Sequence, residues 1–165
     1  MPRSDRLSDP DLESLETSSL TVRNLRPDDV AALVRIDQRL TGRSRRAWYE
    51  GRLRRALSDT DVNISLGAEA DGARIGAVLG AVHYGEFGQP EPVAVLDTLL
   101  VDPSFGRKGI GRALMGQLTK NLQGLRVERL RTEVAWTEQE LIGFLAKVGF
   151  HPAPRLVLEL EVGER

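Results

Sequence analysis

Residues 99–115, LLVDPSFGRKGIGRALM, decide the fold of this chain. An apolar run breaks at Asp102-Pro103, and residues 106–112 then hold three glycines and three cations before a helical pattern begins. The first N–H groups of a helix lack intrahelical partners, and the helix dipole places partial positive charge there. Glycines let an anion approach those N–H groups closely. The stretch therefore predicts a strand, a phosphate cradle and a helix, and the alternative is a helix start whose glycines serve close packing.

The spacing of the glycines excludes two common phosphate motifs. The P-loop pattern GxxxxGK[ST] is absent, and so is the dinucleotide fingerprint G-x-G-x-x-G. The predicted phosphate cradle at residues 106–112 is therefore neither a P-loop nor a dinucleotide-binding motif.

Composition is that of a soluble globular protein. The chain has 165 residues, of which 41% are hydrophobic and 28% charged, and a net charge of -1 that argues against bulk attraction to polyanions. It has no cysteine for disulfides or a thiol nucleophile, and its two histidines are too few for a histidine-rich metal site. Because no apolar run suits a membrane span or a secretory signal, we expect a cytoplasmic protein. Residues 1–18 are predicted to be a flexible polar tail and residues 19–165 a single domain.

Hydrophobic periodicity predicts a mixed α/β fold in the order β-α-α-β-β-β-α-β-α-β. In the second helix, Ala47, Leu53 and Leu57 are expected on the core side, with Trp48 either packed inward or bordering a substrate cleft. The stripe expected on the third helix is Ile110, Leu114, Leu118, Leu122 and Leu125. The predicted strands cover 20–25, 62–70, 73–85, 93–101, 127–136 and 154–162, and the helices 26–40, 44–59, 110–125 and 137–148.

Two stretches carry a resemblance to a known family. VDPSFGRKGIGRALM, residues 101–115, resembles motif A of the GNAT-superfamily N-acetyltransferases, Q/R-x-x-G-x-G/A after a central strand. FLAKVGF, residues 144–150, resembles the second landmark of that family, and the likeness covers about residues 20–162. It implies a GNAT-like fold, a mostly antiparallel mixed sheet with splayed central strands flanked by helices. The chain departs from the motif at Gly106, where the family usually has Gln or Arg; a cation, Arg107, follows one place later.

The resemblance implies acetyl-CoA as co-substrate and acetyl transfer to a primary amine, by direct attack through a tetrahedral intermediate. The strand end at Leu99, Leu100 and Val101 would hold the pantetheine arm. The pyrophosphate would be held by Gly106, Arg107, Lys108, Gly109, Ile110, Gly111 and Arg112.

Two carboxylates are candidates for the general base, which is needed because an amine attacks a thioester only as the free base. Glu133 matches by spacing a glutamate that the similar ribosomal-protein acetyltransferases use as base. Asp97 precedes Leu99 in the central strand, and alternation predicts that it shares the face of Leu99 and Val101. The alternatives are an ion pair between Glu133 and Arg131, and a structurally hydrogen-bonded Asp97.

The usual general acid of the family is missing. Leu145 stands where the family has a tyrosine, and Glu138 where it has an asparagine. Tyr84, at a neighbouring strand end, could substitute, although a wall residue is the plainer interpretation.

Other functions stay open beside the enzyme. The chain could bind acyl-CoA as a sensor with altered or lost catalysis. Residues 43–55 hold six arginines and one acid, which suits an acidic acceptor or partner, a solvated helix face, or a nucleic acid, although no nucleic-acid motif supports the last. The last predicted strand could pair with a second copy in a homodimer.

Overall fold

The structure is a computed structural model that describes residues 20–58 and 64–163. The predicted tail at 1–18 and the first residues of the predicted strand 62–70 lie outside this range. Within it, the elements are β1 (Leu20–Asn24), α1 (Val30–Thr41), α2 (Arg46–Ser58), β2 (Leu66–Ala70), β3 (Ala73–His83), β4 (Val93–Val101), α3 (Ile110–Gly124), β5 (Leu130–Thr132) and α4 (Gln139–Lys147).

The sheet follows chain order, β1-β2-β3-β4-β5. The strands β1 to β4 are antiparallel, and β5 alone runs parallel to its neighbour β4. The predicted mixed α/β class is therefore confirmed.

The chain forms two compact units, one ending at Glu133 and one beginning at Val134. The first unit holds the sheet and α1 to α3. The second holds α4, whose Leu145 is buried and which is followed by Gly149 at φ 107°. Among the described residues, no helix is long and apolar enough to cross a membrane.

The hairpin between β2 and β3 turns where the sequence predicts it. Asp71 and Gly72 both have positive φ, 49° and 78°, as the tightest hairpin turns require. Aspartate and glycine tolerate this region better than other residues, so the dipeptide fixes the turn.

The helices of the first unit cover both faces of the sheet. Ala77 and Leu79 of β3 belong to the core cluster that includes Leu33 of α1 and Leu53 of α2. The side-chain position of Gly76 lies on the face opposite to Ala77, because successive residues of a strand alternate. A Cβ atom on Gly76 would lie 3.2 Å from Ile110 and 2.8 Å from the Leu100 carbonyl oxygen, so glycine permits α3 to pack closely there.

A buried ion cluster fastens the start of α1 to the sheet. The Asp29 carboxylate is fully buried and accepts two hydrogen bonds from Arg23, at 2.8 and 2.9 Å, one from Arg74 at 2.8 Å and one from the Arg26 N–H at 2.8 Å. Burial by itself would raise the pKa of Asp29, but these donors lower it to about 2.

The prediction of a final strand at 154–162 is wrong. The segment forms no strand, and its large apolar side chains are exposed, with Leu156, Leu158 and Leu160 each at 86%. Alternation favours a strand only where a neighbouring strand supplies hydrogen-bond partners, and none pairs with this segment in the part of the chain that the structure describes. The predicted strand 127–136 likewise shortens to the three residues of β5.

The predicted core faces of two helices need correction. In α2 the buried side chains are Tyr49 and Leu53, four residues apart, whereas Ala47 is exposed and Leu57 is 38% exposed. Trp48 does not pack inward, since 41% of it is exposed.

In α3 the predicted stripe holds as far as Leu122, and Met115 joins it. Leu125 is 44% exposed because α3 ends at Gly124 and the chain turns away at Arg126, whose φ is 58°.

Candidate active site

β4 leaves its neighbour β5 halfway along its length. It pairs with β5 only at residues 94–96, opposite Leu130–Thr132. Its register with β3 also shifts at this point: Leu96 pairs with Gly80 and Thr98 with Leu79, so that Asp97 is an extra, bulged residue. From Asp97 onward, no described strand pairs with the outer edge of β4. The backbone groups of that edge are therefore open to a ligand.

The bulge corrects one prediction about Asp97. Regular alternation would place residues 97, 99 and 101 on one face of the sheet. The bulge adds one residue, so Asp97 lies on the face opposite to Leu99 and Val101. Val101 pairs with Gly76 on the α3 face, and Leu99 shares that face. Asp97 instead contacts Arg52 of α2, on the opposite face of the sheet.

Both oxygens of the Asp97 carboxylate are engaged. Arg52 donates to Oδ2 from Nε at 2.9 Å and from Nη2 at 2.6 Å. The Thr98 hydroxyl donates to Oδ1 at 2.8 Å. This is the hydrogen-bonded alternative that the sequence leaves open for Asp97, and three of the roughly four acceptor sites of a carboxylate are occupied here.

Glu133 lies just past the end of β5, beside the unpaired edge of β4, and the space between them is called the opening. It follows Thr132, which pairs with Leu96, so the parallel register places it level with the bulge. Arg131 pairs with Val95, and Glu133 follows it two positions later, as the first residue after β5. Glu133 is exposed, and its carboxylate makes no hydrogen bond or ion pair with any residue that the structure describes.

Two neighbours of Glu133 define this edge. Arg131 pairs with Glu86 at 3.1 Å and not with Glu133, so the ion pair considered from the sequence does not form. The Thr132 hydroxyl donates to the Leu96 carbonyl oxygen at 2.7 Å, which ties β5 to β4 at the last paired position. The strands separate immediately beyond this bond.

β4 is followed by Asp102 and then by residues 106–112, which we call the glycine turn. Asp102 is 6% exposed, and its N–H donates to the Ile75 carbonyl oxygen at 2.7 Å. Its carboxylate accepts from Arg39 of α1 at 2.9 and 3.0 Å and from the Ser104 N–H at 2.9 Å. Arg39 also donates to the Ser104 hydroxyl at 2.8 Å. The turn is thus held from both β3 and α1.

The glycine turn itself presents free donors. The first backbone hydrogen bond into α3 is donated by the Ala113 N–H to the Gly109 carbonyl oxygen, at 2.9 Å. The N–H groups from Arg107 to Arg112 make no backbone hydrogen bond within the described range, and no side chain caps the helix. Arg107, at φ 61°, and Gly109, at φ 77°, both adopt left-handed backbone conformations in this turn. Arg107, Lys108 and Arg112 are all exposed around it, so the turn is strongly electropositive.

The structure does not bring Tyr84 to the opening. β3 ends at His83, which pairs with Val93, and Val93 lies four residues before Asp97, about 13 Å along the strand. Tyr84 is 61% exposed. In the second unit, the Glu138 carboxylate accepts from the Ala135 N–H at 3.4 Å.

Sequence reasoning missed Arg39, Arg52 and Thr132. The partners of Arg39 and Arg52 lie 63 and 45 positions away in the chain, so no local pattern marks these arginines. A single threonine in a strand likewise carries no sequence pattern that indicates the hydrogen bond of Thr132 to Leu96. No group of three or more metal-binding side chains occurs in the described ranges.

The chain belongs to a known family. Residues 28–150 match the model of the acetyltransferase (GNAT) family. The chain is therefore an acyltransferase, with acetyl-CoA as its co-substrate. No curated protein sequence is significantly similar to it.

Solved structures of similar fold agree with this family. An aminoglycoside N-acetyltransferase, AAC(6')-Iy in complex with CoA, is 16% identical with a TM-score of 0.74, over 88% of this chain and 97% of that one. A ribosomal-protein-alanine N-acetyltransferase from Brucella melitensis is 17% identical with a TM-score of 0.70, over 87% and 99%. AAC(6')-Ih from Acinetobacter baumannii is 18% identical with a TM-score of 0.72, over 88% and 100%. At these identities the likeness concerns the fold.

Proposed function

We propose that the chain transfers an acetyl group from acetyl-CoA to a primary amine at the opening between β4 and β5. The observation that carries this proposal is the continuity of the opening with the glycine turn. β4 frees its outer edge at Asp97 and runs directly into the electropositive turn. An apolar strand edge followed by free N–H groups suits an arm that ends in a diphosphate.

The donor would be held by both parts of this surface. The edge at Leu99, Leu100 and Val101 offers backbone groups to the amide-rich pantetheine arm. The run from Gly106 to Arg112 offers N–H groups and cations to the pyrophosphate. The bound acetyl group would then lie near Asp97, where the amine has to arrive.

Glu133 is the base in this proposal. It is exposed at the opening and has no described partner, whereas Asp97 is held by Arg52 and Thr98. A free carboxylate can take the ammonium proton directly or through one water, after which the amine nitrogen attacks the thioester carbon. Collapse of the tetrahedral intermediate breaks the C–S bond and releases CoA. Asp97 then serves to orient Arg52.

The test is thiol release from acetyl-CoA with a library of amines, comparing wild type with Glu133→Gln. We expect the substitution to lower kcat by at least about a hundredfold. Glu128→Gln, an exposed glutamate in the connection that precedes β5, is the control and should keep wild-type turnover. Full turnover by the Glu133→Gln protein would remove this residue from the mechanism, and Asp97→Asn would then be examined in the same way.

A second function is favoured by one observation, the missing thiolate acid. Leu145 is a buried leucine and cannot donate a proton, and Tyr84 follows the end of β3 that pairs with the start of β4, about 13 Å along the strand from Asp97. The enzyme can still work because a thiol has a pKa near 8.5, which makes its thiolate a tolerable leaving group. A sensor would bind acetyl-CoA and release no thiol with any amine, so the same assay separates the two functions.

A further inference from the structure

One side of α2 carries an aromatic ring and two arginines in a row. Trp48, Arg52 and Arg55 follow the helical spacing i, i+4, i+7, so they lie on one side of the helix. We refer to these three residues as the α2 strip. Trp48 is 41% exposed and Arg55 is exposed, whereas the side chain of Arg52 is only 11% exposed. The strip is thus an outward surface with its middle residue anchored.

The anchor places the α2 strip beside the opening between β4 and β5. Arg52 holds the bulged residue Asp97 through two hydrogen bonds to one oxygen. Glu133, the first residue after β5, lies at the same level as Asp97. The strip therefore borders the opening on the side of the sheet to which the Asp97 carboxylate points.

The charges on α2 are sorted between its two sides. Arg46, Glu50 and Arg54 are spaced four residues apart and lie on the side away from the strip, where Arg46 and Glu50 pair at 3.5 Å. On the strip, Arg52 is balanced by Asp97, and Arg55 has no acidic partner among the described residues.

Arg55 lies about two helical turns from Trp48, and one face of the Trp48 ring is covered by Arg45, whose guanidinium carbon is 5.5 Å from the ring centroid. Arginine presents a planar fork of donors that matches a carboxylate, and tryptophan covers an apolar stem. The carboxylate of Glu133, at the level of Asp97, favours a protonated amine. The surface therefore offers one site to a cation and another to an anion of the same molecule.

We propose that the α2 strip binds a carboxylate of the acceptor, so that the acceptor is an amine that also carries a carboxylate, and not a polycation. This inference rests on the proposed function, because it assumes that the amine is acetylated at the opening. It narrows the acceptor to amino acids or peptides with an acidic group near the amine.

The test is a binding titration that follows Trp48 fluorescence in the CoA-saturated full-length protein. A Trp136→Phe background removes the other tryptophan, which is 89% exposed and so tolerates the change. The probes are the dipeptides Ala-Glu and Ala-Gln, both as C-terminal amides, which differ only in one carboxylate. We expect Ala-Glu to bind about tenfold more tightly, the value of one charge-assisted hydrogen bond.

Two arginine variants make the test specific. Arg55→Gln should abolish the preference for Ala-Glu, whereas Arg54→Gln, which removes the same charge from the other side of α2, should preserve it. Both residues are exposed, so neither substitution should affect folding, and circular dichroism checks this. Equal affinity for the two dipeptides, no saturable signal with Ala-Glu, or equal effects of the two variants would overturn the inference.

Calorimetric titration with CoA alone distinguishes a failure of the strip inference from a failure of the proposed function. If CoA binds and the dipeptides are not distinguished, the strip inference fails and the acyltransferase site stands. If CoA does not bind, the same dipeptide titration is made on the unloaded protein, where the carboxylate preference still decides the role of the strip.

Discussion

The turn that leads into α1 and the turn that leads into α3 both surround a site for an anion, but only the first supplies that anion from the chain itself. In the first, the Asp29 carboxylate is fully buried between Arg23, Arg74 and the Arg26 N–H. In the second, the N–H groups from Arg107 to Arg112 have no backbone partner in the described range. The first arrangement fastens a helix, and the second leaves positive potential for a ligand.

Structural and functional charges in this fold are distinguished by whether the chain itself supplies the counter-ion. A cation whose partner is buried and permanent contributes to stability. A cation that stays exposed around free N–H groups contributes to binding. Substitutions at the two turns should therefore affect different measurements.

The largest effect is expected from removing the internal anion. Asp29→Ala leaves Arg23 and Arg74 without their shared partner, and we expect the free energy of unfolding in urea to fall by about 3 kcal/mol. Asp28→Ala is the matched control, because Asp28 is exposed and, among the described residues, pairs only with Arg74, at 3.4 Å, so it should change stability by less than about 0.5 kcal/mol. Similar losses in both variants would contradict a special role for the buried carboxylate.

The second prediction concerns pH. The pKa of Asp29 is lowered from its ordinary value of 3.8 to about 2, so its ionised form stabilises the folded state. The contribution, about 2 kcal/mol, is fully present above about pH 4 and is lost as the pH falls towards about 2. Urea unfolding at a series of pH values should show the stability advantage of wild type over Asp29→Asn shrinking across this window. A difference that stays constant with pH would argue against it.

The third prediction concerns the bracing of the glycine turn by α1. Arg39 braces Asp102 and Ser104, so Arg39→Gln should loosen the turn and weaken acetyl-CoA binding about tenfold, with kcat little changed. Arg35→Gln, on the exposed side of the same helix, should leave both values as in wild type. Steady-state kinetics over acetyl-CoA concentration checks this. A fall in kcat at unchanged KM would show that Arg39 acts on the chemistry instead of on the turn.

Local signals made part of this molecule predictable from sequence. The bounds of β4, the Asp71-Gly72 turn and the start of α3 at Ile110 each follow from a short pattern of apolar residues and glycines. Motif spacing likewise identified the glycine turn. These features depend on neighbours in the chain, which is why they could be predicted.

Other features depend on contacts between distant segments. The bulge at Asp97 appears only when β3 and β4 pair, and it moves that carboxylate to the opposite face from the one that alternation predicts. The Arg52–Asp97 and Arg39–Asp102 pairs join residues far apart in the chain. The segment 154–162 has the alternation of a strand but no described partner strand. The catalytic roles of Glu133, Asp97 and Tyr84, the single domain, the cytoplasmic location and the homodimer stay predictions.

The most direct test of the comparison is calorimetric titration of the full-length protein with acetyl-CoA, for wild type, Gly111→Asp and Gly116→Asp. Aspartate at Gly111 places an anion at the open turn, as Asp29 does at the closed one, and it suits the first turn of a helix. Gly116 lies further along α3, where an added Cβ meets nothing within 4 Å, so its variant carries the same charge away from the turn. We predict saturable binding by wild type and Gly116→Asp, and loss of binding in a folded Gly111→Asp protein. Equal binding by all three would show that the turn does not hold the donor.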